Sequence, residues 1–200
     1  MHRSGGTALP AMAPGPTFRV GPGVMRIAIA GAHRTGKTTL IEELSRALPD
    51  HGVVDEPYYL LEEEGYEFAE MPSLEDFEVQ LERSIECVGG SEEDQIFDRC
   101  PADMLAYLIA HPDSDGDVKA WLSRVRNAMQ RLDLVVFVPV EDPDRIIVSD
   151  PEESDLRQRV DEELREIVVE DRWDFGVEAI EVAGTPRERA RQVLAYLGAR

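Results

Sequence analysis

One run of residues has the types and spacing to hold a polyphosphate: Gly31-Ala32-His33-Arg34-Thr35-Gly36-Lys37-Thr38, which fits G-x-x-x-x-G-K-T. Glycines at 31 and 36 let backbone N–H groups turn inward around phosphate oxygens. Lys37 can reach the β and γ phosphates of a nucleoside triphosphate, and the Thr38 hydroxyl can ligate Mg2+. Ala32, His33, Arg34 and Thr35 fill the variable positions, and Thr39 completes the nucleotide-binding set; His33 is read as a loop residue, not a base. The pattern also arises by chance in glycine-rich loops. Here it follows a strand-like run and opens an amphipathic helix whose positive end faces the anion, the context the chemistry requires. ATP and Mg2+ are the cofactors expected from it.

Three further segments carry groups that could act beside such a loop. In "FDRCPADMLAY", Asp98 ends a strand-like run, where a carboxylate can hold Mg2+ directly or through water, and Arg99 can neutralise phosphate charge. The bland reading is a surface Asp-Arg pair. In "VVDEPYYLL", Glu56 or Asp55 could take the proton of an acceptor hydroxyl; the bland reading is an acidic turn before Pro57. In "DLRQRVDEELRE", Arg157 and Arg159 could stabilise charge on a moving phosphoryl group from a lid. Against this, Arg157, Asp161 and Arg165 have the i, i+4 spacing of a solvated ion ladder. Residues two apart on a regular helix also point roughly 200° apart. Arg145 is a weaker candidate. Tyr58, Tyr59, Tyr66 and Phe68 could stack on a ring but more often such residues pack, and Gln80 reads as a helix-surface glutamine.

The elements that must position these residues alternate between strand-like and helix-like. Strands are expected at Arg26–Ala30, in "HGVVDEP", "DQIFDR", "LDLVVFVPV" and "VEAIEV". Helices are expected from about Lys37 to Leu48, after Ser73 as N-cap, in "PADMLAYLIAH", over about Val118–Arg131, along Leu156–Val168 and in "TPRERARQVLAYL". "YYLLEEEGYEFAEMP" reads as irregular or partly helical, and "EDPDRIIVSDPEESD" as a polar connector. The result is a doubly wound, five-stranded parallel sheet flanked by helices, an α/β fold whose ligands bind at the carboxyl ends of the strands.

Composition narrows the partners. The 200 residues suit one α/β domain with a small lid, and 42% are hydrophobic with no apolar run of membrane length. A net charge of −20 disfavours nucleic acid and anionic lipid as general partners, while leaving room for one anionic ligand in a positive pocket. Cys87 and Cys100 form no metal-ligand pattern, and a reducing cytoplasm fits them best. Residues 1–24, dense in Gly and Pro, are expected to be a disordered tail, with residues 25–200 as the folded domain. The expected partner is a small-molecule acceptor; a homodimer is left open.

Taken together, the four segments resemble the P-loop small-molecule kinases. Within these the chain is similar to the deoxynucleoside kinase and nicotinamide riboside kinase group and to AAA-type NAD-metabolism ATPase/kinase domains. The resemblance implies the P-loop NTPase fold and transfer of the ATP γ-phosphate to a small acceptor. It implies Glu56, before Pro57, as catalytic base and Asp98-Arg99 as the Mg2+-linked carboxylate and arginine, with Cys100 where that group has serine. It implies Arg157, Arg159 and Glu162 as the lid's R-x-R-x-x-E. The loop "AHRTGK" is nearer the NAD-metabolism type. The competing class is an NTP-hydrolysing switch acting on a protein. Against a GTPase, there is no N-K-x-D motif, since Asn127 is the only asparagine; against an AAA motor, Asp-Arg stands where Asp-Glu is needed.

Overall fold

Arg26–Ala30 (β1) alternates branched and small apolar residues, and every one of its residues is buried. That is the signature of a central parallel strand covered on both faces. In a computed structural model of the chain, which describes residues 25–90, 93–141 and 151–198, β1 lies between Gln95–Asp98 (β3) and Leu134–Phe137 (β4). Gly52–Val54 (β2) and Ala179–Glu181 (β5) form the edges, giving the order β2-β3-β1-β4-β5 with all pairings parallel. This is the doubly wound five-stranded sheet expected from the alternation. From β1 the chain runs out to the edge strand β2, returns through β3 and then crosses to β4 on the other side of β1, and ligands of such sheets bind beyond the carboxyl ends of the strands.

The strand period of two divides the core. Ile27, Ile29, Ile96, Leu134 and Val136 face Lys37–Ala47 (α1) and Pro186–Gly198 (α7), meeting Leu40, Leu44, Val193 and Leu197. Leu40 and Leu44 are fully buried, each contributing about 1.5–3 kcal/mol. On the other face Ala28, Ala30, Phe97 and Phe137 meet Leu74–Gly90 (α3), Pro101–Ala110 (α4), Lys119–Met129 (α5) and Pro151–Leu164 (α6). All of α4 except Ile109 is buried, so it is an interior helix, and the small Ala28 and Ala30 belong to the core on its side of the sheet.

Caps set the helix starts. Ser73 Oγ accepts the Asp76 N–H while Asp76 accepts the Ser73 N–H, a reciprocal cap on α3. Thr185 and Glu188 exchange the same bonds at α7. Pro57 opens a short helix, Pro57–Glu63 (α2), where the sequence reads as irregular or partly helical.

Three expectations change. The polar connector is shorter, because Pro151–Asp155 already belongs to α6; proline is tolerated in a first turn, where its missing N–H has no helical partner. Arg145 lies outside the described residues. Gln80 is not on the surface: it is 5% exposed and donates to the Asp76 carbonyl one turn back. The Arg157–Asp161–Arg165 spacing is not a solvated ladder either. Arg157 and Asp161 are buried, and Asp161 accepts the Val140 N–H, while Arg165 pairs with Glu181. No helix among the described residues is long and apolar enough to cross a membrane.

Candidate active site

The loop between β1 and α1 has the geometry its glycines allow. A Cβ at Gly31 would sit 2.5 Å from the Val138 carbonyl oxygen, so only glycine fits. Gly36 has φ 87°, the left-handed backbone that ends the loop and starts α1. Lys37 is buried, and its Nζ donates to the Ala32 carbonyl at 2.9 Å, joined there by Thr35 Oγ1 at 3.0 Å. Thr38 and Thr39 are exposed in the first turn of α1. Arg34 is exposed and pairs with Glu153 of α6 at 3.1 Å. His33 is a loop residue, as expected: its N–H donates to Tyr107 Oη. Burial, with Arg99, Arg157 and Lys37 nearby, pushes its imidazole down to about 4, so it is neutral at pH 7.

The sequence candidates from β2 and β3 meet at the same place. Arg99 Nε donates to Glu56 Oε1 at 2.5 Å, and its Nη1 donates to the Gly31 carbonyl at 3.0 Å. Arg99 is buried with φ 77°, an uncommon backbone for a non-glycine residue, held by these bonds and by the Tyr107 ring 5.3 Å beneath the guanidinium. Asp98, the last residue of β3, has a buried Oδ1 with no hydrogen-bond partner among the described residues. Burial pushes its carboxyl up to about 6, reinforced by Glu56 and Asp103 and opposed by Lys37 and Arg99. Burial and the Arg99 charge push Lys37 down to about 8, against the pull of Asp98, Asp103 and Glu56. Each charge is thus under-compensated. A polyanion would relieve Lys37, and a divalent cation would give Asp98 Oδ1 its missing partner. The unpartnered Asp98 Oδ1 and the exposed Thr38 hydroxyl are groups of a type that fits Mg2+, which binds through one or two protein oxygens, phosphates and water. Asp55, the rival for the base, is exposed; with Val54, Ser84 and Cys87 it lines a recess that Asp98 and Arg99 close.

The lid arginines separate. Arg157 reaches the back of the loop, donating from Nε to the His33 carbonyl at 2.9 Å and from Nη2 to the Arg34 carbonyl at 3.2 Å. Arg159 faces another way on the regular helix and pairs with Asp155 at 3.5 Å.

Three participants are not identifiable in the sequence. Asp103 is fully buried: Oδ1 accepts the Gly31 N–H at 2.9 Å, and Oδ2 accepts the Cys100 N–H at 2.9 Å. Its place three residues after the N-cap Cys100 signals a cap, but not the bond to the loop. Tyr107, stacked on Phe77 at 5.0 Å, holds the His33 N–H. Arg189 of α7 donates to the Thr35 carbonyl at 2.6 Å. Cys100 is buried, and its thiol donates to Asp103 Oδ2 at 3.3 Å.

A family model described as AAA domain matches residues 26–189. The chain belongs to that family. The match begins in β1 and ends in α7, so this AAA domain takes in the loop, the Asp98–Arg99 segment, α6 and Arg189 together. No curated protein sequence matches the chain. Among solved structures, the AAA domain is similar to deoxyadenosine kinase from M. mycoides with bound dATP: TM-score 0.63 and 18% identity, covering 87% of this chain and 99% of that one. It is similar to NadR protein in complex with NR, with TM-score 0.64 and 18% identity over 88% of this chain and 50% of that one. Shikimate kinase from Aquifex aeolicus gives TM-score 0.52 and 19% identity, over 88% and 97%. The fold is that of the P-loop small-molecule kinases.

Proposed function

We propose that this AAA domain is an ATP-dependent phosphotransferase. It moves the γ-phosphate of Mg-ATP to a hydroxyl, or a phosphate, of a small nucleoside-like or cofactor-precursor metabolite. The observation that carries this reading is the Glu56–Arg99 pair at 2.5 Å, on a buried guanidinium that also bonds the loop at Gly31. A carboxylate at the end of β2, beside the phosphate loop, can accept the proton of an acceptor hydroxyl.

In this mechanism the loop amides and Lys37 bind the β and γ phosphates. Arg99 holds Glu56 through Oε1, leaving Oε2 to accept the acceptor's proton. As the acceptor oxygen bonds to the γ phosphorus, the bond to the β–γ bridging oxygen breaks, the proton passes to Glu56, and ADP leaves with the electron pair. Lys37 and Arg99 balance the charge that develops. Arg157 adds positive charge from behind the loop, and Arg159 would do so after exchanging Asp155 for a phosphoryl oxygen. Thr38 and Asp98 would hold Mg2+, which would supply charge neutralisation of the phosphates.

The test is Glu56→Gln with a panel of hydroxyl acceptors. The variant should keep Mg-ATP binding and lose acceptor phosphorylation by about two to four orders of magnitude, while slow ATP hydrolysis changes much less. If Asp55→Asn cripples transfer and Glu56→Gln does not, the base is Asp55. ATP hydrolysis in full without any acceptor, insensitive to both changes, would replace the kinase with an NTP-hydrolysing module acting on a protein partner.

A further inference from the structure

Five consecutive peptide groups of the loop are oriented by side chains from outside it. Arg99 holds the Gly31 carbonyl, Arg157 those of His33 and Arg34, and Arg189 that of Thr35. In between, the Ala32–His33 peptide is bonded on both sides, its carbonyl to Lys37 and its N–H to Tyr107. In a trans peptide the C=O and N–H point in opposite directions. Lys37 and Tyr107 therefore lie on opposite sides of the chain at that peptide, and the Lys37 side is where phosphate is expected. For the other four peptides, a carbonyl held by an arginine turns the following amide, of Ala32, Arg34, Thr35 or Gly36, away from that arginine.

Arg189 is the arginine of this set that no sequence motif includes. It is 5% exposed. Its Nη2 donates to Glu141 Oε1 at 2.9 Å, and that same oxygen accepts the Gly184 N–H at 2.6 Å. The guanidinium is thus fixed between the end of β4, the turn before α7 and the loop. A Cβ at Gly36 would come within 3.3 Å of Nη1, so the arginine lies against the peptide it bonds. We infer that Arg189 is a positioning residue for phosphate binding: by holding the Thr35 carbonyl it aims the Gly36 N–H at the phosphates, and so ties the last helix to the nucleotide. This rests on the reading of the loop as a triphosphate site.

The test compares Mg-ADP and inorganic tripolyphosphate affinities by calorimetry for the full chain, Arg189→Met and Arg189→Lys, with thermal melts to confirm folding. Arg189→Met keeps the apolar stem and removes the donors. It should weaken Mg-ADP binding about ten- to a hundredfold and raise KM for ATP by a similar factor, with kcat changed less than about threefold. Lysine, which can reach Thr35 without spanning to Glu141, should restore part of the loss. Should the methionine variant not fold, Glu141→Gln takes its place, with a loss of about threefold or more expected. A folded variant that melts earlier but binds Mg-ADP as tightly as the unaltered chain would overturn the inference alone. If the unaltered chain binds neither probe, the triphosphate reading falls and this inference with it.

Discussion

Asp98→Asn should make the protein more stable at neutral pH, although it removes a group assigned to Mg2+. The carboxyl is pushed from 3.8 up to about 6 by burial, and its Oδ1 has no hydrogen-bond partner among the described residues. Above pH 6 the ionised form is present in both states but disfavoured in the folded one. A rise of that size, at about 1.4 kcal/mol per pH unit, corresponds to a penalty of up to about 3 kcal/mol. Between pH 6 and 3.8 the folded protein holds the proton and the unfolded chain does not, so acidification through this window removes the penalty. Urea melts should therefore show Asp98→Asn ahead by up to about 3 kcal/mol at pH 7.5, with the gap closing near pH 4 and the slope m unchanged. With Mg-ATP the order should narrow or reverse, because the metal binds only the carboxylate well. The variant should also need more Mg2+ for turnover. An Asn variant that is less stable at pH 7.5, or a gap that ignores pH, would refute the claim that burial raises this group.

Two other outcomes follow from the same geometry. Lys37→Ala should abolish phosphoryl transfer and weaken Mg-ATP binding, measured by turnover and calorimetry; unchanged turnover would remove the loop from the mechanism. Asp103→Ala should destabilise by about 2–4 kcal/mol in denaturant melts, because it leaves the buried Gly31 and Cys100 N–H groups without their acceptor; a loss under about 0.5 kcal/mol would mean that those amides find another partner.

The sequence is most informative where the chemistry is local. The loop, β1 and α1 follow from one contiguous stretch, Arg26–Ala47, since the glycines, the lysine and the helical spacing all act within a few positions of one another. The parallel pairing follows from alternation, because parallel strands require crossovers, whereas the strand order comes from the structure. Asp98, Arg99 and Glu56 were legible as strand-end groups, because strand ends in such sheets converge. Partner choice was not. Arg157 has the spacing of a surface ladder, and only the packing of α6 against α4 reveals that its guanidinium is buried on the loop. Gln80 looks like a surface residue for the same reason: helical periodicity gives a face, and not how far the neighbours cover it. Arg189 and Tyr107 contact the loop from helices distant in sequence, through backbone atoms, and a contact to a carbonyl places no demand on residue type that a reader could see.

Lys37 has a further consequence for chemistry done on the protein. It is one of only two lysines in the chain; the other, Lys119, is exposed beside Asp117. With its pKa near 8, Lys37 is about half uncharged amine in mildly alkaline buffer, and so a nucleophile. An uncharged acylating reagent would meet that amine only while no phosphate holds its proton in place. Protection of Lys37 from the label by ATP, read by peptide mapping, would therefore report occupancy of the site directly.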